Sequence, residues 1–368
     1  MIESNKTVTH TSNSTEPLSS IETLAIVQVT FYIAITIFGT IANVALCGAL
    51  LRTTHQRRPS ECFILNLAFT DLMTCAVGIP LDVAVILTRY WPFGAFLCKV
   101  VWPFQTVLIA VSVATLTCMA IERYRAIITP FKPMFTRKIV KIVICSIWCL
   151  SVILVTPYVA VLEHKDRSCY ESWQGDKHPK IFTICVFLLF YAIPLSVIVP
   201  AYARIGFRLH SDDRTMKRFS RKQGPGNQQF ETLVRRRSKG TILIVKTFLF
   251  GAVAFAVCLL PYHVMWLWHD FGQGSQWAHF GDTLAFANAL VYFNSLVDPF
   301  IFGGTVALNW RTNCTAMLAK CLNVLVWKGC KETTNKITTP KLNRNRVTLL
   351  QQLSAAQPRR CAQYTSCV

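Results

Sequence analysis

The chain has 368 residues, 52% of them hydrophobic and only 15% charged, with a mean hydropathy of +0.39 and a formal net charge of +20. A water-soluble domain of this length needs far more charge on its surface, so the composition excludes an ordinary soluble globular protein. The positive charge raises nucleic acid as a partner, and its distribution removes that reading: 31 of the 38 Lys and Arg, but only 6 of the 18 Asp and Glu, lie in residues 52–61, 122–141, 204–246 and 303–368. Those segments alternate with others that are on balance acidic, the positive-inside pattern of a chain that crosses a membrane repeatedly.

In chain order, residues 1–22 read as an extracellular tail with two glycosylation sequons, at Asn5 and Asn13. Seven apolar segments follow at about 23–51, 60–88, 96–128, 139–162, 180–209, 240–269 and 281–305. Each reaches the roughly 20 helical residues that cross a hydrocarbon layer. The fold class expected is therefore an all-α membrane bundle of seven helices over 23–305. No signal-peptide pattern precedes the first segment, which is expected to act as an uncleaved signal anchor. The odd number of spans and the charge alternation put the N-terminus outside and the C-terminus in the cytosol.

Prolines fall inside several of the apolar runs, among them Pro80, Pro157, Pro194, Pro261 and Pro299. Each would cost about 3 kcal/mol in a soluble helix. In a bundle, neighbouring helices and polar groups satisfy the freed carbonyls, and the kinks become hinges. Residues 206–240 are basic and contain Gly224-Pro225-Gly226, and so read as a flexible loop with helical extensions. Residues 306–322 suit an amphipathic helix on the inner membrane face, and 323–368 a disordered cytosolic tail. Of the 15 cysteines, only Cys98 and Cys169 fall at outer positions. Cys321 and Cys330 are candidates for palmitoylation, although ordinary reduced thiols account for them equally well.

Ionisable groups inside hydrocarbon are expensive, so each is a functional candidate. Asp71, Asn43, Ser112, Asn294 and Asp298 lie at similar depth. They suit either a hydrated cation or proton site, or a structural hydrogen-bond network between helices. Glu122-Arg123-Tyr124 closes the third run, 24 residues after Cys98. Its carboxylate can hold the arginine at the membrane edge, as a releasable contact or as a local ion pair.

These residues, taken in order, resemble the rhodopsin-like, class A, G-protein-coupled receptors. The likeness covers about 23–322. It is carried by Gly39-Thr40-Ile41-Ala42-Asn43, Leu67-Ala68 with Asp71, Cys98, Glu122-Arg123-Tyr124 and Trp148. Further along it is carried by Pro194 with Tyr202, Phe255 with Cys258-Leu259-Leu260-Pro261, and Asn294 with Asp298-Pro299-Phe300-Ile301-Phe302. The resemblance implies a disulfide between Cys98 and Cys169. It also implies an allosteric sodium site at Asp71, Ser112, Asn294 and Asp298, with no other cofactor. Activation would run through Glu122, Arg123, Tyr124, Tyr202, Phe255, Pro261 and Pro299, and the partners would be a heterotrimeric G protein, arrestin and membrane lipids. Nothing in it implies enzymatic chemistry. Three departures stand out: Leu259 replaces the usual tryptophan before the sixth-helix proline, and Asp298 and Phe302 replace the usual asparagine and tyrosine of the seventh-helix motif.

Within that family the ligand signals are similar to those of neuropeptide Y, neuropeptide FF and orexin receptors. Gln105 stands where amine receptors carry an aspartate, and Tyr292 where opsins carry their lysine. Trp91-Pro92-Phe93-Gly94, the run Cys169 to Trp173, and Asp270 match the peptide groups. Together with Glu171, His263, Trp266, Asn288 and Tyr292, they imply a pocket for an amidated, arginine-containing peptide. Acids at the outer mouth would steer a basic peptide toward it. Ordinary solvated loop acids paired with Lys165, Arg167, Lys177 or Lys180 are the bland alternative. A small-molecule or lipid ligand is the rival within receptors, and an ion or proton transporter using Asp71 and Asp298 the rival outside them. The location implied is the plasma membrane.

Overall fold

The computed structural model describes residues 17–52, 58–129, 135–222 and 228–304. The two sequons, the segment 306–322, the tail, and Cys321 and Cys330 lie outside the described residues. Seven helices are long and apolar enough to cross a bilayer: α1 (Thr23–Arg52), α2 (Pro59–Thr88), α3 (Gly94–Ile128), α4 (Arg137–Val161), α5 (Lys177–Asp212), α6 (Gly240–Phe271) and α7 (Phe280–Gly304). Helical backbone begins earlier at α1, from Pro17, and at α6, from Gln228, and it continues after α5 to Lys222. The basic stretch between α5 and α6 is thus mostly helical extension.

Ile142, Leu150 and Ile153 of α4 and Val253 and Val257 of α6 are exposed large apolar side chains. In water they would be an aggregation hazard, whereas in a bilayer they are the solvated surface. The inner half of the bundle packs around Leu50, Phe63, Met119, Ile205, Phe255 and Phe302, all essentially buried. A second cluster, around Trp91, Val111, Val155, Leu162 and the Cys98–Cys169 pair, fills the outer half beside α3 and α4. Polar side chains tie the helices where apolar packing alone gives no register. Asn66 of α2 donates to Thr115 of α3 (2.9 Å) and accepts from the indole of Trp148 of α4 (3.0 Å). Asn43 of α1 donates to the Ser295 carbonyl of α7 (3.0 Å). Such bonds contribute about 0.6 kcal/mol each in lipid, and more to geometry than to stability.

Two π turns, Thr74–Gly78 in α2 and Leu188–Ala192 in α5, each end two residues before a proline, Pro80 and Pro194. Proline offers no N–H and crowds the carbonyl four residues back. A wider turn relieves that crowding, and its inserted residue rotates everything beyond it by about 100°. The outer end of α2 is therefore turned relative to a straight continuation of the inner end.

Outside α4 lies an antiparallel hairpin, β1 (Leu162–Lys165) and β2 (Ser168–Glu171), with His164 opposite Cys169. Its two turn residues, Asp166 and Arg167, have φ of 50° and 59°, the left-handed pair that matches strand twist in a two-residue turn. The disulfide joins β2 to α3, as the resemblance implies, and the Trp91 amide donates to the Arg167 carbonyl (2.8 Å). The hairpin is thereby pinned over the outer end of the bundle.

Candidate functional site: an outer acidic pocket and an inner polar network

The outer site gathers residues from α2, α3, α5, α6, α7 and the hairpin. Gln105, half-buried on α3, donates from Nε2 to the Gly78 carbonyl (3.1 Å) and to Oδ1 of Asp82 (3.2 Å). Both of its N–H groups are committed to acceptors, which also fixes which way the amide points. Its carbonyl oxygen is what remains to meet a ligand. Close approach is possible because residue 78 is glycine: a Cβ there would lie 3.3 Å from the Gln105 Nε2. Tyr292 of α7 donates to the other Asp82 oxygen and packs edge-on to Tyr32 of α1, ring centres 5.2 Å apart. Asn288 lies one turn farther out on α7.

Asp82 was not among the candidate site residues read from the sequence. It is half-buried and faces inward, because the π turn rotates the outer end of α2. Its signal was an acid inside the apolar run from Ile79 to Leu87.

Asp270 is also more engaged than expected of a mouth acid. It accepts from Thr183 of α5 (2.5 Å) and lies 2.7 Å from Nδ1 of His269, with 8% of its side chain exposed. Glu171 on β2 accepts from the Tyr158 hydroxyl (2.9 Å) and the Trp173 indole (2.8 Å). Neither acid forms an ion pair with Lys165, Arg167, Lys177 or Lys180 among the described residues, so the bland alternative of lysine-paired loop acids does not describe them. His263 is buried against Phe187, Tyr191 and Tyr262, and its Nε2 has no hydrogen-bond partner. Trp266 packs against Tyr262 and His269. The pocket thus has three carboxylates, each held by tyrosine, tryptophan, threonine, glutamine or histidine groups, beside an aromatic wall.

The inner site has the opposite character. Asp71 of α2 and Asp298 of α7 are both buried. One oxygen on each of Asn43, Asp71, Asn294 and Asp298 is buried with no donor among the described residues. Asn294 donates to Asp298 (3.2 Å). Ser112 lies 2.8 Å from Thr70, whose own proton goes to the Leu67 carbonyl, so Ser112 is the donor and keeps its lone pairs. Two acids and several orphaned oxygens fit a small hard monovalent cation, which binds oxygen and offsets buried negative charge.

At the cytosolic end, Arg123 Nε lies 2.7 Å from Glu122, and its guanidinium sits 5.0 Å from the centre of the Phe248 ring on α6. Phe302 of α7 packs on the other contact of Phe248, centres 5.4 Å apart. A Cβ at Gly251 would come within 2.8 Å of Phe302, so the ring requires glycine there. Sequence reasoning noted that Phe302 lacks a hydroxyl but missed Phe248, which joins it to the arginine by ring contact. Tyr124 accepts from Arg204 (3.3 Å), and Tyr202 is buried. Phe255 and Leu259 are buried in the same core, so Leu259 fills the usual tryptophan position with apolar packing. Tyr191 of α5 donates to the Ala256 carbonyl (3.0 Å), joining α5 to α6 just ahead of Pro261.

An outer pocket of convergent polar groups, a buried polar network beneath it and a restrained arginine at the inner rim of seven spans are the parts of a membrane receptor. The family described as "7 transmembrane receptor (rhodopsin family)" matches residues 42–302, and the chain belongs to it. It is a multi-pass membrane protein. Among similar proteins are mouse neuropeptide FF receptor 2, 29% identical over 76% of this chain and 70% of that one, and galanin receptor type 1 of Rattus norvegicus, 30% identical over 74% and 78%. Neuropeptide Y receptor type 4 of Rattus norvegicus is 28% identical over 84% of this chain and 86% of its own length.

Proposed function

We propose that the chain is a plasma-membrane receptor, N-terminus outside, that binds an extracellular peptide with an amidated, arginine-containing C-terminus and activates a heterotrimeric G protein. The observation that carries this reading is the state of Gln105. With both N–H groups committed, it presents only an acceptor, which suits the N–H of a terminal carboxamide and not the oxygens of a free carboxylate. Three acids in the outer half, Asp82 in contact with Gln105 and Glu171 and Asp270 elsewhere, have no Lys or Arg partner among the described residues and favour a cationic ligand. Asp270, near the rim, takes the peptide's arginine in place of Thr183 or His269, as a charge-assisted bond. Two of the three relatives are named for neuropeptides, which agrees.

Binding favours a state in which the inner part of α6 swings outward about Pro261 and Phe248 leaves Arg123. Arg123, Tyr202 and the basic extensions of α5 and α6 then meet the G protein, and arrestin and anionic inner-leaflet lipids use the same basic face. A sodium ion held by Asp71, Ser112, Asn294 and Asp298, with Asn43 beside them, would add positive charge to the buried acids and favour the resting state.

The test is calcium and cyclic-nucleotide output from cells expressing the chain, challenged with peptides in amidated and free-acid forms. Amidated peptides are expected to act at nanomolar concentrations and their free acids at least about tenfold more weakly, the worth of one or two lost hydrogen bonds in a desolvated site. Equal potency of the two forms would overturn the role of Gln105. Silence across all peptides, with surface expression verified, would overturn the peptide reading.

A further inference from the structure

The pocket floor contains an acid that the peptide reading above does not use. Asp82 lies on the outer part of α2, opposite the α5–α6 wall that carries Asp270. Each of its oxygens accepts one bond, from Gln105 and from Tyr292, and a carboxylate has lone pairs for about two more. Both donors are neutral, so they solvate the charge without offsetting it. Among the described residues no Lys, Arg or His forms an ion pair with it. The Tyr292 ring that holds it packs in turn on Tyr32, whose hydroxyl accepts from Gln28 (3.3 Å). An acid half-buried, aimed inward and held among the described residues by neutral donors alone can take a cationic group as a further contact.

We propose that Asp82 is a second cation-binding station, so that the ligand of this pocket is dibasic: one guanidinium or ammonium group meets Asp270 at the rim and another meets Asp82 at the floor. The inference rests on the peptide reading for its ligand class, but it makes a separate claim about charge number. It also gives Gln105 two duties, since the same residue that accepts from the ligand holds the second acid in place.

The experiment uses the full chain in cells and a synthetic set of amidated peptides with one arginine, or with a second arginine moved through the last three residues. Citrulline analogues keep the shape of each arginine without its charge. Arginine amide and a small diguanidine are included as non-peptide cations. The best dibasic peptide is expected to exceed its citrulline counterpart at least tenfold in potency, a difference that vanishes in Asp82→Asn and persists in Asp270→Asn. The ratio is the readout, because a purely structural role for Asp82 would weaken both peptides alike. Asp82→Glu, which keeps the charge, is expected to recover part of the preference. If peptides act but the dibasic preference is absent, or survives Asp82→Asn, the second station is overturned and the peptide reading stands. If only the small cations act and depend on Asp82, the station stands and the peptide reading falls. Silence to every cation with the receptor at the surface overturns both.

Discussion

The outer pocket and the inner network are both polar islands in an apolar bundle, yet their acids are held by opposite rules, although His263 and Trp266 of the outer wall each keep a ring nitrogen without a partner among the described residues. In the outer half, Asp82, Glu171 and Asp270 each accept well-directed bonds, and their donors come from five different elements. In the inner half, Asn43, Asp71, Asn294 and Asp298 each keep a buried oxygen without a donor, and Arg123 is held by one carboxylate and one ring. A satisfied set of groups is rigid and suits recognition, because little must be reordered on binding. An under-satisfied set has alternative arrangements of similar energy, which is what a switch needs. The difference assigns recognition to one end and switching to the other.

The largest effect should come from separating the two ends. Arg123→Ala is expected to reduce second-messenger output to background in cells, while a radiolabelled agonist peptide still binds the outer pocket. Loss of binding as well would break the comparison, because it would make the inner arginine a structural support. Next in size, Asp270→Ala should raise the effective peptide concentration at least about tenfold, from the roughly 1.5–3 kcal/mol of a charge-assisted bond. The matching citrulline peptide should show little further loss, and an unchanged dose response would remove Asp270 from the site.

A smaller effect is expected at the buried acids. Replacing extracellular sodium by a bulky organic cation should shift agonist affinity about fivefold, the low end of ordinary coupling between sites. That shift should disappear in Asp71→Asn and in Asp298→Asn. Persistence of the sodium effect in both variants would leave the orphaned oxygens to a purely structural network.

The smallest should be at the ring contact. Gly251→Ala puts a methyl group against Phe302 and, through it, against Phe248. Basal output is expected to rise about two- to threefold, which requires less than 1 kcal/mol of bias between states. A fall in basal output would mean that the rings support the active arrangement instead.

Much of this division could be read from the chain before its structure. Seven spans follow from hydropathy because a backbone in lipid must satisfy itself, which leaves helices as the simple solution for such long apolar runs. Asp71 and Asp298 stood out because ionisable side chains at depth are costly, whereas Gln105 and Arg123 stood out through the family resemblance. The hairpin was not legible, since Asp166-Arg167 lacks the glycine that announces a tight turn, and its positive φ values are imposed by the disulfide-anchored strands. Asp82 was not singled out, because one acid toward the outer end of an apolar run reads as a mouth charge and the π turn before it leaves no mark in the residue pattern. Phe248 gave no signal at all: one phenylalanine in an apolar run looks like packing until an arginine is seen above it.

The central claim is that one end recognises and the other switches, and saturation binding beside signal in the same cells tests it most directly. Surface-expressed receptor, Asp270→Ala and Arg123→Ala would be compared with one labelled amidated peptide. The account requires Asp270→Ala to lose binding and signal together, and Arg123→Ala to keep binding while losing signal. It would be contradicted if both variants lost binding equally, or if Arg123→Ala signalled at the level of the unaltered chain.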